Sequence, residues 1–283
     1  MRKYSNLIVV CFLIFSTGLS CSAQKNHTKG SLFIIGGGPR PVEMMKRIAT
    51  ESGIDKGGYG VILPMSSAEP DSAILYTGRS FSKAGFNNVY GLQFKKGEYP
   101  NRAKLDSIRN ARLVYISGGD QSKFMAVVGG TEIEKAIHEA FAKGSMVAGT
   151  SAGAAVMSKV MITGNELKYS DYHSTFRNIE AENIETATGL GMLTSAIIDQ
   201  HFVYRSRHNR LISAVIEYPN LLSIGIDEST AILVKGSMAE VVGLSQVMVY
   251  SNPQSSKEIR NGKLGAKGLK LDIYLPGDRF RIE

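Results

Sequence analysis

Ser145-Met146-Val147-Ala148-Gly149-Thr150-Ser151-Ala152-Gly153 is the stretch on which the fold turns. A short apolar run stops at Gly149, and a second apolar segment, residues 154–160, begins just beyond Gly153. Read as strand, tight turn and helix, the central pentapeptide has the G-x-S-x-G form of a nucleophile elbow, in the context that motif requires. Glycines flank the serine because a sharp strand-to-helix turn leaves no room for side chains. Such a turn lifts the Ser151 hydroxyl out of the sheet, and the helix amino terminus offers backbone N–H groups to a developing oxyanion. A plain tight turn is the competing reading.

The same pattern repeats outward from the elbow. Residues 31–35 run into Gly36-Gly37-Gly38-Pro39, residues 59–63 end at Pro64, and residues 111–116 end at Ser117-Gly118-Gly119. Between these runs, residues 41–52, 72–83 and 132–142 carry apolar side chains at helical spacing. Short β-branched strands alternating with helices predict an α/β fold, a mainly parallel sheet flanked by helices on both faces. Ligands of such sheets gather at the carboxyl ends of the strands, where the glycine-rich loops fall. Nearer the C-terminus, residues 222–226, 231–234, 240–242 and 246–250 read as short antiparallel strands with tight turns. Residues 252–270, rich in Lys, Gly, Asn and Ser, predict an exposed loop. No internal repeat stands out, and residues 24–283 read as one domain.

The chain has 283 residues, enough for one large α/β domain and too few for two full enzyme domains. Its only cysteines are Cys11 and Cys21, which rules out a disulfide framework, a thiolate zinc site and a cysteine nucleophile in the body of the protein. Arg2 and Lys3 precede a short apolar run, residues 7–15, and small residues lead to Ala23. That is the three-part pattern of a secretory signal peptide, too short for a transmembrane span. The expectation is export to the periplasm or exterior with cleavage after Ala23. Lipidation of Cys21 is the lesser alternative. Removing Arg2 and Lys3, and no acid, takes the net charge from +8 to +6. With no run of basic residues longer than two, this excess favours acidic partners or serves solubility, and nucleic acid is not expected.

A serine nucleophile needs a base, and five histidines are available. His27 sits beside the signal junction, and His138 falls on the solvated face of an amphipathic helix. His173 lies in a polar stretch with Tyr169, Asp171 and Tyr172 and is a weak contender, as is His208. His201 follows the apolar run 196–198 within Asp199-Gln200-His201-Phe202, at a strand end where catalytic residues of open α/β sheets belong. An α/β-hydrolase would place its acid before a late histidine, but no histidine follows His208. The acid then comes after the base or shortly after the serine, and Glu228, at the end of the strand reading Gly225-Ile226-Asp227-Glu228, suits the role, with Asp227 as its local rival.

Gly149-Thr150-Ser151-Ala152-Gly153-Ala154, the string Asp199-Gln200-His201-Phe202-x-x-Arg205-x-Arg207-x-x-Arg210, and Gly225-Ile226-Asp227-Glu228 together resemble the cyanophycinase family of serine peptidases. The arginine string is the specific part. The resemblance runs from Gly36 to about Gly243 and extends in outline to aspartyl dipeptidases. It implies a class I glutamine amidotransferase-like fold and a Ser151, His201, Glu228 triad. It further implies oxyanion donors on the backbone of Gly119 and Ala152, and a substrate pocket of Gln121, Asp199, Gln200, Arg205, Arg207 and Arg210. At position 120, where this chain has aspartate, it would place a small polar residue such as asparagine.

The implied substrate is cyanophycin, a poly-aspartate backbone whose side chains are joined to arginine by isopeptide links, and the implied products are β-aspartyl-arginine dipeptides. No metal or organic cofactor is expected, and a homodimer is one allowed assembly. Guanidinium forks suit the substrate's carboxylates, and Asp199 would hold either a substrate guanidinium or the protein's own arginines. Arg207 and Arg210, three residues apart, would share a helix face, so Arg207→Ala is expected to weaken turnover and leave folding intact. Without the resemblance the arginines read as a solvated basic face. Alternative functions are an aspartyl dipeptidase for short aspartate-containing peptides, or a catalytically idle exported protein of the same fold.

Overall fold

Strands β1 (Ser31–Ile35), β2 (Gly60–Leu63), β3 (Val89–Gly91), β4 (Leu113–Ile116) and β5 (Met146–Thr150) run parallel, in the spatial order β1-β5-β4-β2-β3. The computed structural model that shows this describes residue 1 and residues 30–169, 171, 173 and 175–282. The expected signal peptide, with Cys11 and Cys21, and His27 lie outside the described residues.

These strands are apolar on both faces, as a sheet covered on both sides requires. Leu32, Ile34, Val114, Ile116 and Val147 join one core, and Phe33, Ile35, Leu113, Tyr115 and Met146 join the other. The second core is roofed by α1 (Val42–Ser52) and α2 (Pro70–Lys83), through Met44, Met45, Ile48 and Phe81. The first is roofed by α3 (Arg102–Arg109), α4 (Gln121–Val128) and α5 (Glu132–Ala142), through Ile108, Phe124, Ile133 and Ile137. Up to the elbow, the alternating strand-and-helix reading is therefore correct to within about a turn at each element it named, and β3, α3 and α4 are additions to it. His138 on α5 is half-buried, and its Nε2 lies 2.8 Å from the Leu190 carbonyl oxygen, so its face is not simply solvated.

Directly after the elbow the sequence expectation fails. Helix α6 (Ala152–Ala155) is a single turn, and the chain has become strand β6 (Val160–Glu166) by the end of the apolar segment read as helix. Burial of residues 154–157 satisfies a helix and a packed turn equally well, and the sequence pattern does not separate them. Strand β6 pairs antiparallel with β7 (Ile184–Thr188) as a separate two-stranded ribbon.

The chain then builds a second sheet. Strand β8 (Ala196–Gln200) is followed by α7 (His208–Glu217) and by β9 (Leu222–Ile226), parallel to β8. Strand β10 (Thr230–Lys235) returns antiparallel beside β1, and β11 (Met238–Gly243) continues that edge. Strand β12 (Val247–Ser251) joins β9 antiparallel in the second sheet. The expected exposed loop at 252–270 instead contains the hairpin β13 (Glu258–Arg260) and β14 (Lys263–Gly265). Strands β15 (Lys270–Tyr274) and β16 (Arg279–Arg281) complete the two sheets, in the orders β15-β12-β9-β8 and β16-β11-β10-β1-β5-β4-β2-β3. The hairpin was hidden because each strand has three residues, too few for the alternation around Ile259 and Leu264 to stand out from a polar stretch. Among the described residues, no helix is long and apolar enough to cross a membrane.

Candidate active site

Ser151 stands where β5 breaks into α6, with φ 53° and ψ −113°. That left-handed backbone is strained for a residue with a side chain, and it aims Oγ away from the sheet. The motif's glycines are needed because the turn folds onto its neighbours: a Cβ at Gly149 would lie 2.2 Å from the Gly153 carbonyl oxygen, and one at Gly153 would lie 2.3 Å from that of Ile116.

His201 follows β8 directly and also has a positive φ, 51°. Its backbone N–H donates to the Gly36 carbonyl at 2.7 Å, which ties the second sheet's strand end to the glycine loop after β1. Its Nε2 lies 2.9 Å from Ser151 Oγ and its Nδ1 2.6 Å from Glu228 Oε1. A carboxylate only accepts, so Nδ1 carries the proton it donates to Glu228, and Nε2 is left to accept from the serine hydroxyl. The rival Asp227 is engaged elsewhere: it accepts from the Tyr204 N–H at 2.9 Å and from the Ser245 hydroxyl at 2.8 Å. His173 falls with Tyr169 and Asp171 in another depression, apart from Ser151, and His208 reaches Tyr250 at 3.1 Å.

Burial is the largest influence on His201 and pushes its pKa below the usual 6.5. The nearby charges of Arg205 and Arg207 add to this, and Glu228 opposes it. The imidazole is thus neutral near pH 7, the state a general base needs.

Ala152 is the first residue of α6, so its N–H has no acceptor within the helix. Gly119 approaches from the β4 side: a Cβ at the adjoining Gly118 would stand 3.4 Å from Ser151 Cβ, which puts the 117–119 turn against the serine.

A cavity of about 330 Å³ opens onto Ser151 and is lined by five of the six expected substrate residues: Gln121, Gln200, Arg205, Arg207 and Arg210. Asp199 is the exception. It is 1 % exposed and lies behind the wall, where its Oδ2 accepts from Arg210 Nε at 2.9 Å and its Oδ1 from the same guanidinium. Of the two roles open to Asp199, the structure therefore gives the ordering of the protein's own arginines.

Arg207 caps α7 and donates to the Gln200 carbonyl at 2.7 Å and to the Gln200 side chain. Arg207 and Arg210 are 3 % and 2 % exposed, which overturns the solvated-face reading. It weighs against the expectation that Arg207→Ala leaves folding intact, since truncation would remove buried hydrogen bonds to Gln200. Gln121 is likewise occupied, its Nε2 donating to the Ile162 carbonyl at 2.9 Å.

Sequence reasoning missed the rest of the lining, formed by Asp120, Ser122 and the β6 residues Thr163, Gly164 and Asn165. Asp120 was legible as Gln121's neighbour, but nothing in the polar run of β6 marked it. It also missed Gly37 and Gly38, where a Cβ would lie 2.3 Å from His201 Cε1 and 2.7 Å from the Glu228 carboxylate.

The α/β sheet, the strained serine and the neutral imidazole facing it define a serine-type peptidase. Residues 58–242 match the family described as Peptidase family S51. Over 267 residues the chain is 32% identical to the "Cyanophycinase" of Nostoc sp., covering 90% of this chain and 86% of that one. It is likewise 32% identical to the "Cyanophycinase" of Trichormus variabilis over the same shares. Among solved structures, a peptidase from an acI-B1 Actinobacterium superposes with a TM-score of 0.65 at 21% identity, covering 90% of this chain and 98% of that one. The chain belongs to peptidase family S51.

Proposed function

We propose that this chain hydrolyses cyanophycin to β-aspartyl-arginine dipeptides through an acyl-enzyme on Ser151. The observation that carries the reading is the unbroken line from Ser151 Oγ to His201 Nε2 at 2.9 Å and from His201 Nδ1 to Glu228 at 2.6 Å. His201 takes the serine proton as Oγ attacks the scissile carbonyl, then gives it to the leaving amine. It repeats the exchange with the water that releases the acyl group. Glu228 holds the imidazole in the required tautomer and stabilises the imidazolium. The N–H groups of Gly119 and Ala152 receive the oxyanion. The relatives named cyanophycinases supply the substrate, and the pocket's chemistry agrees with it. Of the three pocket arginines, Arg205 makes no side-chain hydrogen bond or ion pair among the described residues, so its guanidinium is free for a substrate carboxylate.

The reading includes export, on the strength of Arg2, Lys3 and the apolar run that follows them. An intact-mass measurement of the mature protein would give its first residue. Residue 24 or a lipidated Cys21 supports export, and an unprocessed chain refutes it.

Incubation with insoluble cyanophycin tests the reaction, followed by turbidity and by mass spectrometry of the products. Clearing with release of β-aspartyl-arginine is expected. No clearing by a protein whose Ser151 still reacts with a fluorophosphonate would move the substrate to short aspartyl peptides.

A further inference from the structure

We propose that Asp120 is the residue that selects for a cationic side chain on the substrate, an assignment that rests on the cyanophycin reading above. A cyanophycin unit carries two kinds of charge, carboxylates and a guanidinium. The arginine wall of the cavity answers only the first. The carboxylates around the site can be taken in turn. Asp199 is 1 % exposed and both of its oxygens are bound to Arg210. Glu228 is bound to His201. Asp227 is held by Tyr204 and Ser245. Asp120 alone among them lines the cavity and is itself exposed.

Its placement is that of a carboxylate fixed in advance. The Asp120 N–H donates to the Ser66 carbonyl at 2.8 Å. Its Oδ1 caps α4, accepting from the N–H groups of Ser122 at 2.8 Å and Lys123 at 3.2 Å. Among the described residues no ion pair and no bond to Oδ2 engages the carboxylate, so one oxygen remains for a ligand. A second negative charge stands behind the same wall: Glu185 Oε2 accepts from the Thr163 hydroxyl and from Asn165 Nδ2 at 2.8 Å, and both of those residues line the cavity. The cavity lining therefore carries both signs of charge, the guanidiniums of Arg205, Arg207 and Arg210 and the carboxylate of Asp120. A guanidinium seated against Asp120 would gain a charge-assisted hydrogen bond on a group whose entropy is already spent on the cap. Asp120 also follows Gly119, so the unit it reads is the one nearest the reacting carbonyl.

The test is Asp120→Asn, because asparagine caps a helix as well as aspartate and removes only the charge. The substrates are two synthetic peptides, three aspartates each bearing arginine on its β-carboxyl and the same peptide with citrulline, arginine's uncharged near-isostere. The wild-type protein is expected to prefer the arginine peptide in kcat/KM, and Asp120→Asn to shrink that preference about 10- to 100-fold. An unchanged arginine-to-citrulline ratio, with both rates reduced alike, would reduce Asp120 to a helix cap and overturn the assignment. Fluorophosphonate labelling of Ser151 at the wild-type rate reports that the variant is folded. Turnover of neither peptide by a wild-type protein that labels normally would refute the cyanophycin reading, and the assignment with it.

Discussion

The imidazole of His201 lies against the α-carbon of Gly37, so closely that a Cβ there would stand 2.3 Å from His201 Cε1 and 2.5 Å from Nε2. Gly37 has φ 113°, a conformation open to glycine and strained for other residues. The loop after β1 thus forms the floor on which the imidazole rests, and Gly38 does the same for Glu228. Gly37→Ala should push the ring off the serine and lower kcat at least 100-fold, since displacement by about 1 Å costs that much. The rate of fluorophosphonate labelling beside a thermal melt checks it. Wild-type labelling would mean that the loop yields and the floor is not rigid.

Ser151→Ala should lose about 10³–10⁶ in kcat, the range for removal of a nucleophile whose partners act as a unit. Steady-state assays on soluble β-aspartyl peptides measure it. Residual activity within tenfold of wild type would remove Ser151 from the reaction.

The pH profile follows from the burial of His201. Its folded-state pKa lies below 6.5, and only the neutral ring accepts the serine proton, so kcat/KM should be full above pH 6.5 and fall as pH drops through that lower value. Arg205→Gln removes a charge that lowers the pKa, so its acid limb should move to higher pH. Glu228→Gln removes an influence that raises it, so its limb should move lower while kcat falls about 10²–10⁴-fold. Profiles of the three proteins decide the matter, and limbs moving in the same direction would contradict the electrostatic account.

Much of this site was legible because its chemistry is written in short, local strings. Ser151 announces itself by flanking glycines that a tight turn demands, and His201 by following an apolar strand. Their meeting was harder to read, since Ser151 ends a strand of the large sheet and His201 one of the small sheet. The glycine loop after β1 makes the connection, through the His201 N–H to Gly36 bond. What stayed hidden was non-local: the wall given by β6, whose Thr163 and Asn165 pair with Glu185 some 20 residues on, and the burial of the arginines. Burial of a charge depends on its partner, and the Asp199–Arg210 pair spans 11 positions and is indistinguishable in sequence from two solvated residues.

That pair gives the last prediction, because it separates support of the pocket from contact with substrate. Asp199 and Arg210 are 1 % and 2 % exposed and joined by two hydrogen bonds, so Asp199→Ala leaves a buried guanidinium without its counter-charge. Breaking such a pair costs about 3–5 kcal/mol, a fall in melting temperature of roughly 6–20 °C for a chain of this size. Replacing both partners by apolar residues, Asp199→Leu with Arg210→Met, removes the Arg210 charge and should recover part of that stability, the remainder being withheld because Arg207, also buried, loses the Asp199 carboxylate 3.6 Å away. Turnover should not recover with it, because Gln200 and His201 are adjacent to Asp199 in the chain and the cavity wall would have lost a cation that lines it. Thermal melts and kcat/KM on the single and double variants check both halves. A double variant that regained activity along with stability would show that the arginine lining the cavity takes no part in binding, leaving Arg205 and Arg207 to meet the substrate.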